Sequence, residues 1–214
     1  KFKSSLNFKL IHILHQTLSP STYNELISTM IYRYTINKSD LVVFVCDNQM
    51  AYWIDKYKIN GQKCKRIYNG IDIDHFHPDH VSPVKIETFE PPFFISDDDI
   101  VIGICAVLRP EKKHTDLLEA FKNIIDTGRS AKLLIIGDGP EKNMIIKQID
   151  KLQINEHVFI TGFQKDVRPY MALCHLMAIT SVAVETFSIA ILEAMAMAKP
   201  IIASDIGGSS EQVI

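Results

Sequence analysis

Apolar residues in this chain come in short runs, separated by longer stretches in which they recur every three or four positions. The runs at 9–15 (KLIHILH), 41–46 (LVVFVC), 65–68, 100–106 (IVIGICA), 132–136 (KLLII), 157–160, 176–180 (LMAIT) and 200–204 are strand-sized and rich in Ile, Val and Leu. A strand wetted on one face would alternate with polar residues, so these continuous runs predict strands covered on both faces. Helical spacing is read between them at 22–37, 47–57, 115–127, 140–152, 166–174 and 188–198. The strand–helix alternation predicts an α/β fold built on parallel sheets.

The rhythm fails once, at residues 72–99, which carry four prolines, three histidines and an acidic triplet. Nothing there is periodic, and the stretch reads as an interdomain linker. It separates residues 1–71, expected to be the C-terminal part of a first domain, from a second at 100–214. The chain begins at Lys1 and stops at Ile214 where a helix would start, so both domains are expected to be incomplete pieces of a longer protein.

Composition narrows the partners. An apolar fraction of 47% with 22% charged residues marks a globular protein. The net charge of -2 and the scattered lysines and arginines give no electrostatic case for nucleic acid. Four distant cysteines, with no CxxC pair, are expected to be reduced thiols. No apolar run has the length to span a bilayer, and the opening residues lack a leader's small-residue cleavage site. A cytoplasmic protein is expected, at most resting on the inner face of a membrane through residues preceding this chain.

Ligands of open parallel sheets sit at the carboxyl ends of strands. After IVIGICA come Arg109, Lys112 and Lys113, ahead of a helix expected to be capped by His114 or Thr115. Cations beside free helix N–H groups suit an anion. After the next strand, Gly137 and Gly139 permit close backbone approach, and Pro140 is placed at the first helical position. Gly162 follows the strand HVFIT, with Asp166 as the next N-cap, and Gly207-Gly208-Ser209-Ser210 precede a further helix. The segment ETFSIAILEAMA sets Glu185 in a strand-end loop, Ser188 at a helix cap and Glu193 inside a helix that is apolar almost all round. Such a helix is read as buried, and an acid there needs a partner or a ligand. Asp72, Asp74, His75 and His77 have a metal-like spacing but fall in the linker and are read as solvated; no metal site is expected.

The succession RIYNGID, LRPEKKHTDLLEAF, LLIIGDGP, VFITGF and ETFSIAILEAMAMAKPIIASDIGG resembles the retaining GT-B glycosyltransferases of family 4 type, over about residues 10 to 214. The most specific element is Glu185-x7-Glu193 with the AMA, Lys-Pro and Gly-Gly steps after it. The resemblance implies two Rossmann-like doubly wound domains and a nucleotide-sugar donor, most simply a UDP- or GDP-sugar, with no cofactor and no metal. It implies a sugar, glycan or lipid-linked acceptor. By resemblance, Arg109 and Lys112 bind the donor diphosphate, Glu193 the ribose and Glu185 the sugar. Thr186, Phe187 and Ser188 offer backbone N–H groups, and Gly162, Phe163 and Gln164 meet the base. His15 lies beside the transferring sugar.

Departures from the family pattern are Val107 where an arginine is common, Thr186 for glycine and Cys46 for serine. The glycine-rich acceptor-side loop is missing from this stretch. Two other readings share the fold: a phosphorylase or epimerase-like enzyme, and a non-catalytic binder of nucleotide-sugars.

Overall fold

A computed structural model describes the backbone of residues 8–15, 22–85, 89–183 and 185–213, and the side chains of all these but 22–29. Residues 1–7 and 16, part of the opening segment weighed as a leader, lie outside the described residues.

The elements follow the apolar pattern. The first sheet contains β1 (Ile11–Leu14), β2 (Leu41–Phe44) and β3 (Cys64–Arg66), with helices α1 (Thr22–Lys38) and α2 (Asp47–Tyr57) between them. The second contains β4 (Ile100–Cys105), β5 (Ala131–Ile136), β6 (Val158–Gly162), β7 (Leu176–Ile179) and β8 (Ile201–Ala203). Its helices are α3 (His114–Asp126), α4 (Lys142–Leu152), α5 (Arg168–Leu173) and α6 (Ile189–Ala196). Every strand pairing is parallel. The strand orders are β1-β2-β3 and β6-β5-β4-β7-β8.

Period-two geometry explains why the central strands are apolar throughout. Leu133 and Ile135 of β5 join one core with Leu118 and Phe121 of α3 and Ile145 and Ile149 of α4. Their neighbours Leu134 and Ile136 join a second core with Met171, Met177, Ala194 and Met197 on the opposite face. Truncating such a fully buried Leu or Ile to Ala costs about 2–5 kcal/mol.

Residues 72–99, expected as a linker, pack along the second core for part of their length. Phe89 and Phe93 are buried there and meet Phe159 of β6 at ring-centroid distances of 5.0 and 5.4 Å. The Val84 N–H donates to the Pro169 carbonyl at 2.9 Å, and Arg168 donates to the His75 carbonyl at 2.8 Å. The Asp72 carboxylate accepts the Asp74 and His75 N–H groups.

Three local expectations are corrected. Neither His114 nor Thr115 caps α3; Lys113 does, with φ 49° and no side-chain bond, because the preceding 3-10 turn delivers the chain in a left-handed conformation. Pro140 stands in a turn ahead of α4, which starts at Lys142. The apolar helix α6 is buried only at Ile191 and Ala194, while Ile189 and Met195 are exposed.

Candidate active site

Strand order reverses between β4 and β7, since β5 and β6 build out one way from β4 and β8 the other. In doubly wound sheets, ligands bind outside the carboxyl ends of the strands that flank such a switch point. The loop after β4 carries Arg109 and Lys112, and the loop after β7 runs from Thr180 to Ser188.

The two loops are fastened together before any side chain of interest is placed. The Val182 N–H donates to the Glu111 carbonyl at 3.0 Å, and the Thr180 hydroxyl donates to the Lys112 carbonyl at 2.8 Å. On the other flank Leu108, fully buried, exchanges backbone bonds with Asp138 and Glu141 of the loop after β5. Gly137 and Gly139 permit this: a Cβ on Gly137 would lie 2.1 Å from the Ala106 carbonyl oxygen.

On this frame Lys112 and Glu185 meet. Lys112 Nζ lies 2.6 Å from Glu185 Oε2 and 3.2 Å from Ser181 Oγ, and the Ser181 hydroxyl donates to the same Glu185 oxygen at 2.7 Å. The three form a closed ring of hydrogen bonds in which serine both accepts and donates. Only 9% of the Glu185 side chain and 27% of that of Lys112 are exposed, and Ser181 is buried. Glu185 is therefore a compensated buried acid.

Glu193 is a different case. It is half-buried on α6, and its carboxylate forms no hydrogen bond or ion pair among the described residues. Burial alone pushes its carboxyl above the usual glutamate range. Its charge also reaches Cys105 at the end of β4, whose thiol is pushed up to about 12 by burial first and Glu193 second. An acid so placed near the end of β4, without a partner among the described residues, keeps its acceptor capacity unused.

The remaining predicted residues are placed as follows. Arg109 is exposed, its guanidinium 3.9 Å from Glu111 and not bonded to the Lys112–Glu185 pair. Thr186, Phe187 and Ser188 are buried. Ser188 occupies the N-cap of α6 without a side-chain bond, and its N–H, expected to face a ligand, donates to Gln212 at 2.8 Å. Gly162, with φ 69°, ends β6 in a bridge to Gly137. The adjoining Phe163 ring is 80% exposed, while Gln164 donates to the Thr161 carbonyl. Asp138 lies beside them, its carboxyl held low by the Gly139 N–H and then the Lys142 ammonium. His15 is exposed at the carboxyl end of β1 in the first sheet, with no bond to the second among the described residues.

Reading the sequence missed Ser181, Tyr68 and Gln212. Ser181 is the second polar residue after β7 and was open to the same strand-end rule that picks out Glu185. Tyr68, whose ring stacks on Phe187 at 4.8 Å, and Gln212 act across the fold and leave no local signal.

Residues 85–214 match the family model described as glycosyl transferases group 1, and residues 1–75 that of glycosyltransferase family 4. The N-acetyl-alpha-D-glucosaminyl L-malate synthase of Bacillus anthracis is 29% identical over 205 residues, covering 96% of this chain and 52% of that protein. Alpha-monoglucosyldiacylglycerol synthase of Acholeplasma laidlawii is 28% identical over 138 residues, 64% of this chain and 34% of that protein. The solved structure of Anabaena Alr3699/HepE in complex with UDP and glucose superposes with a TM-score of 0.80 at 26% identity, over 99% of this chain and 57% of that one. The chain spans about half the length of the curated relatives it matches.

Proposed function

Because the chain belongs to the glycosyl transferases group 1 and has the parallel α/β architecture of the GT-B fold, we propose that it carries the donor site of a glycosyltransferase. The enzyme moves a sugar from a nucleotide-sugar to an acceptor hydroxyl. Residues 1–71 serve the acceptor side, 72–99 join the halves and 100–214 hold the donor. The observation that carries this reading is the Lys112–Glu185–Ser181 ring at the switch point, with the unpartnered Glu193 one helix further on.

Departure of a nucleoside diphosphate leaves an oxocarbenium-like sugar and puts charge on the β-phosphate. Cations already in place lower that barrier, since they need no reorganisation as charge develops. Lys112 spends two of its three N–H donors on Glu185 and Ser181 and keeps one for phosphate. Arg109, exposed beside it, supplies a second cation. These groups do the work that a divalent ion does in other transferases, which is why we assign a metal-independent reaction. In this reading Glu185 orients the sugar, and Glu193 accepts from ribose hydroxyls. Gly162, Phe163 and Gln164 meet the base, with the Phe163 ring free to stack. Retention follows from front-face attack by the acceptor hydroxyl, with His15 orienting it.

UDP and glucose in the Anabaena neighbour make a UDP-sugar the first donor to test, with GDP-sugars next. Relatives named for a diphospho-undecaprenol glycan and a glycolipid favour a glycan or lipid-linked acceptor, met at the inner membrane face. Among the described residues no helix is long and apolar enough to cross a membrane. The test is transfer by the full-length protein from UDP-, GDP- and ADP-sugars, with and without chelator, and the product's anomeric configuration read by NMR. Transfer rates left unchanged by Glu193→Ala and Arg109→Ala would sink the assigned roles.

A further inference from the structure

A helix start leaves its first N–H groups without intrahelical partners, and α2 satisfies them from far away. Cys46 stands at its N-cap and accepts the Gln49 N–H on Sγ at 3.3 Å. The Asp47 and Asn48 N–H groups are donated, each at 2.8 Å, to the two carboxylate oxygens of Glu211, more than 160 positions along the chain. The Tyr68 hydroxyl adds a bond to the same carboxylate at 3.2 Å. A carboxylate bridging two N–H groups at the positive end of a helix is a charge-assisted contact.

The next residue bonds a different element. The Gln212 side-chain amide accepts the Ser188 N–H at 2.8 Å and donates to the Ser188 carbonyl at 2.9 Å. Upstream, the Gly208 N–H donates to the Glu185 carbonyl at 3.3 Å. Gly207, with φ 55°, packs so close that a Cβ would lie 1.7 Å from that carbonyl oxygen. Two consecutive side chains thus hold, respectively, the first sheet's helix and the loop bearing Glu185. Asn69, donating to the Phe187 carbonyl at 3.3 Å, and the Tyr68–Phe187 stack run parallel to them.

We propose that Glu211 and Gln212 are positioning residues for the transfer reaction, tying the shape of loop 185–188 to the docking of α2. The Lys112–Glu185 pair is then aligned while the acceptor-side sheet is in place and loosened when it is not. The catalytic half of this statement rests on the function proposed above; the mechanical half does not.

The experiment uses the full-length protein with Glu211→Ala, the near-isosteric Glu211→Gln and Gln212→Ala, each confirmed folded by circular dichroism. Amide hydrogen exchange is followed in peptides covering 46–49 and 186–189. Glu211→Ala is expected to speed exchange about tenfold or more in both peptides, because losing one anchor frees a cooperative unit. Glu211→Gln, which keeps one acceptor oxygen, gives a smaller change of the same pattern, and serves if the alanine variant does not fold. The ratio of sugar transfer to donor hydrolysis is expected to fall roughly tenfold, since misplacing the loop costs orientation. A mere loss of folded enzyme scales both rates equally and leaves that ratio unmoved. Exchange at 186–189 unchanged in the folded Glu211 variants, or an unchanged ratio, overturns the proposal. Exchange needs no substrate: if the wild-type protein transfers no sugar, the functional reading fails while exchange still decides this one.

Discussion

Replacing Lys112 with alanine in the unliganded protein shows whether Glu185 is a buried pair or a surface one. Exposed ion pairs contribute about 0–1 kcal/mol, whereas removing one partner of a fully buried pair costs about 3–5 kcal/mol. Here the glutamate side chain is 9% exposed and the lysine 27%, nearer the buried limit. Ser181 keeps its 2.7 Å bond to Glu185 and softens the loss. The expected cost is about 2–3 kcal/mol, from an uncompensated carboxylate left in a crevice. For a chain of this size that lowers Tm by roughly 4–12 °C. Urea unfolding with linear extrapolation measures it directly, provided the slope is unchanged. Adding Glu185→Gln removes the stranded charge, so the double variant is expected to recover to within about 1 kcal/mol of wild type. A Lys112→Ala cost below about 0.5 kcal/mol, or a double variant as unstable as the sum of the singles, refutes the reasoning.

Three further outcomes are expected. Glu193 has a raised carboxyl, so the folded state binds its proton more tightly than the unfolded chain and stability declines as pH rises through the range just above 4.5. Glu193→Gln removes that decline in pH-dependent urea midpoints while weakening donor binding in titration calorimetry. His114 is buried with neither ring nitrogen partnered among the described residues, and burial first, then Lys112, lowers its titration from 6.5 to about 4. The unfolded chain then binds the extra proton, stability falls as pH drops through that window, and His114→Leu flattens the fall in thermal scans. Phe163→Ala, at an 80% exposed ring, leaves Tm unchanged. It is expected to weaken nucleotide-sugar binding roughly tenfold if the base stacks there.

Much of the fold was legible because a doubly covered parallel sheet writes its burial directly into the sequence. IVIGIC and AKLLII have no polar face to confuse the period, and both are strands. The α6 segment misled for a related reason: its composition says apolar, but no period separates the buried Ile191 from the exposed Ile189. The cap of α3 was illegible because Lys113 owes its left-handed conformation to the turn before it rather than to its side chain. Within the site, the acids stood out locally. What distinguishes them did not, since Lys112 lies 73 positions from Glu185. The contacts of Phe89 and Phe93 with Phe159 were hidden likewise, because an irregular segment carries no face that announces where it packs.

Those aromatic contacts change how the two sheets are tethered. Residues 72–99 pulled straight would reach roughly 90–100 Å, enough to let the halves drift apart. The first sheet holds the chain through Ile67, bonded to the Phe44 carbonyl, and the second takes it up from His75 and Phe76. Apart from the Tyr68 and Asn69 contacts with Phe187 and Glu211, which belong to the interface itself, the stretch between, 68–74, has a random-coil span of roughly 15 Å. Over so short a leash, each sheet sees the other at an effective concentration in the millimolar range. An interface worth only about 4 kcal/mol is then enough to keep the halves together half the time. A single hydrogen bond across it becomes a lever on that balance.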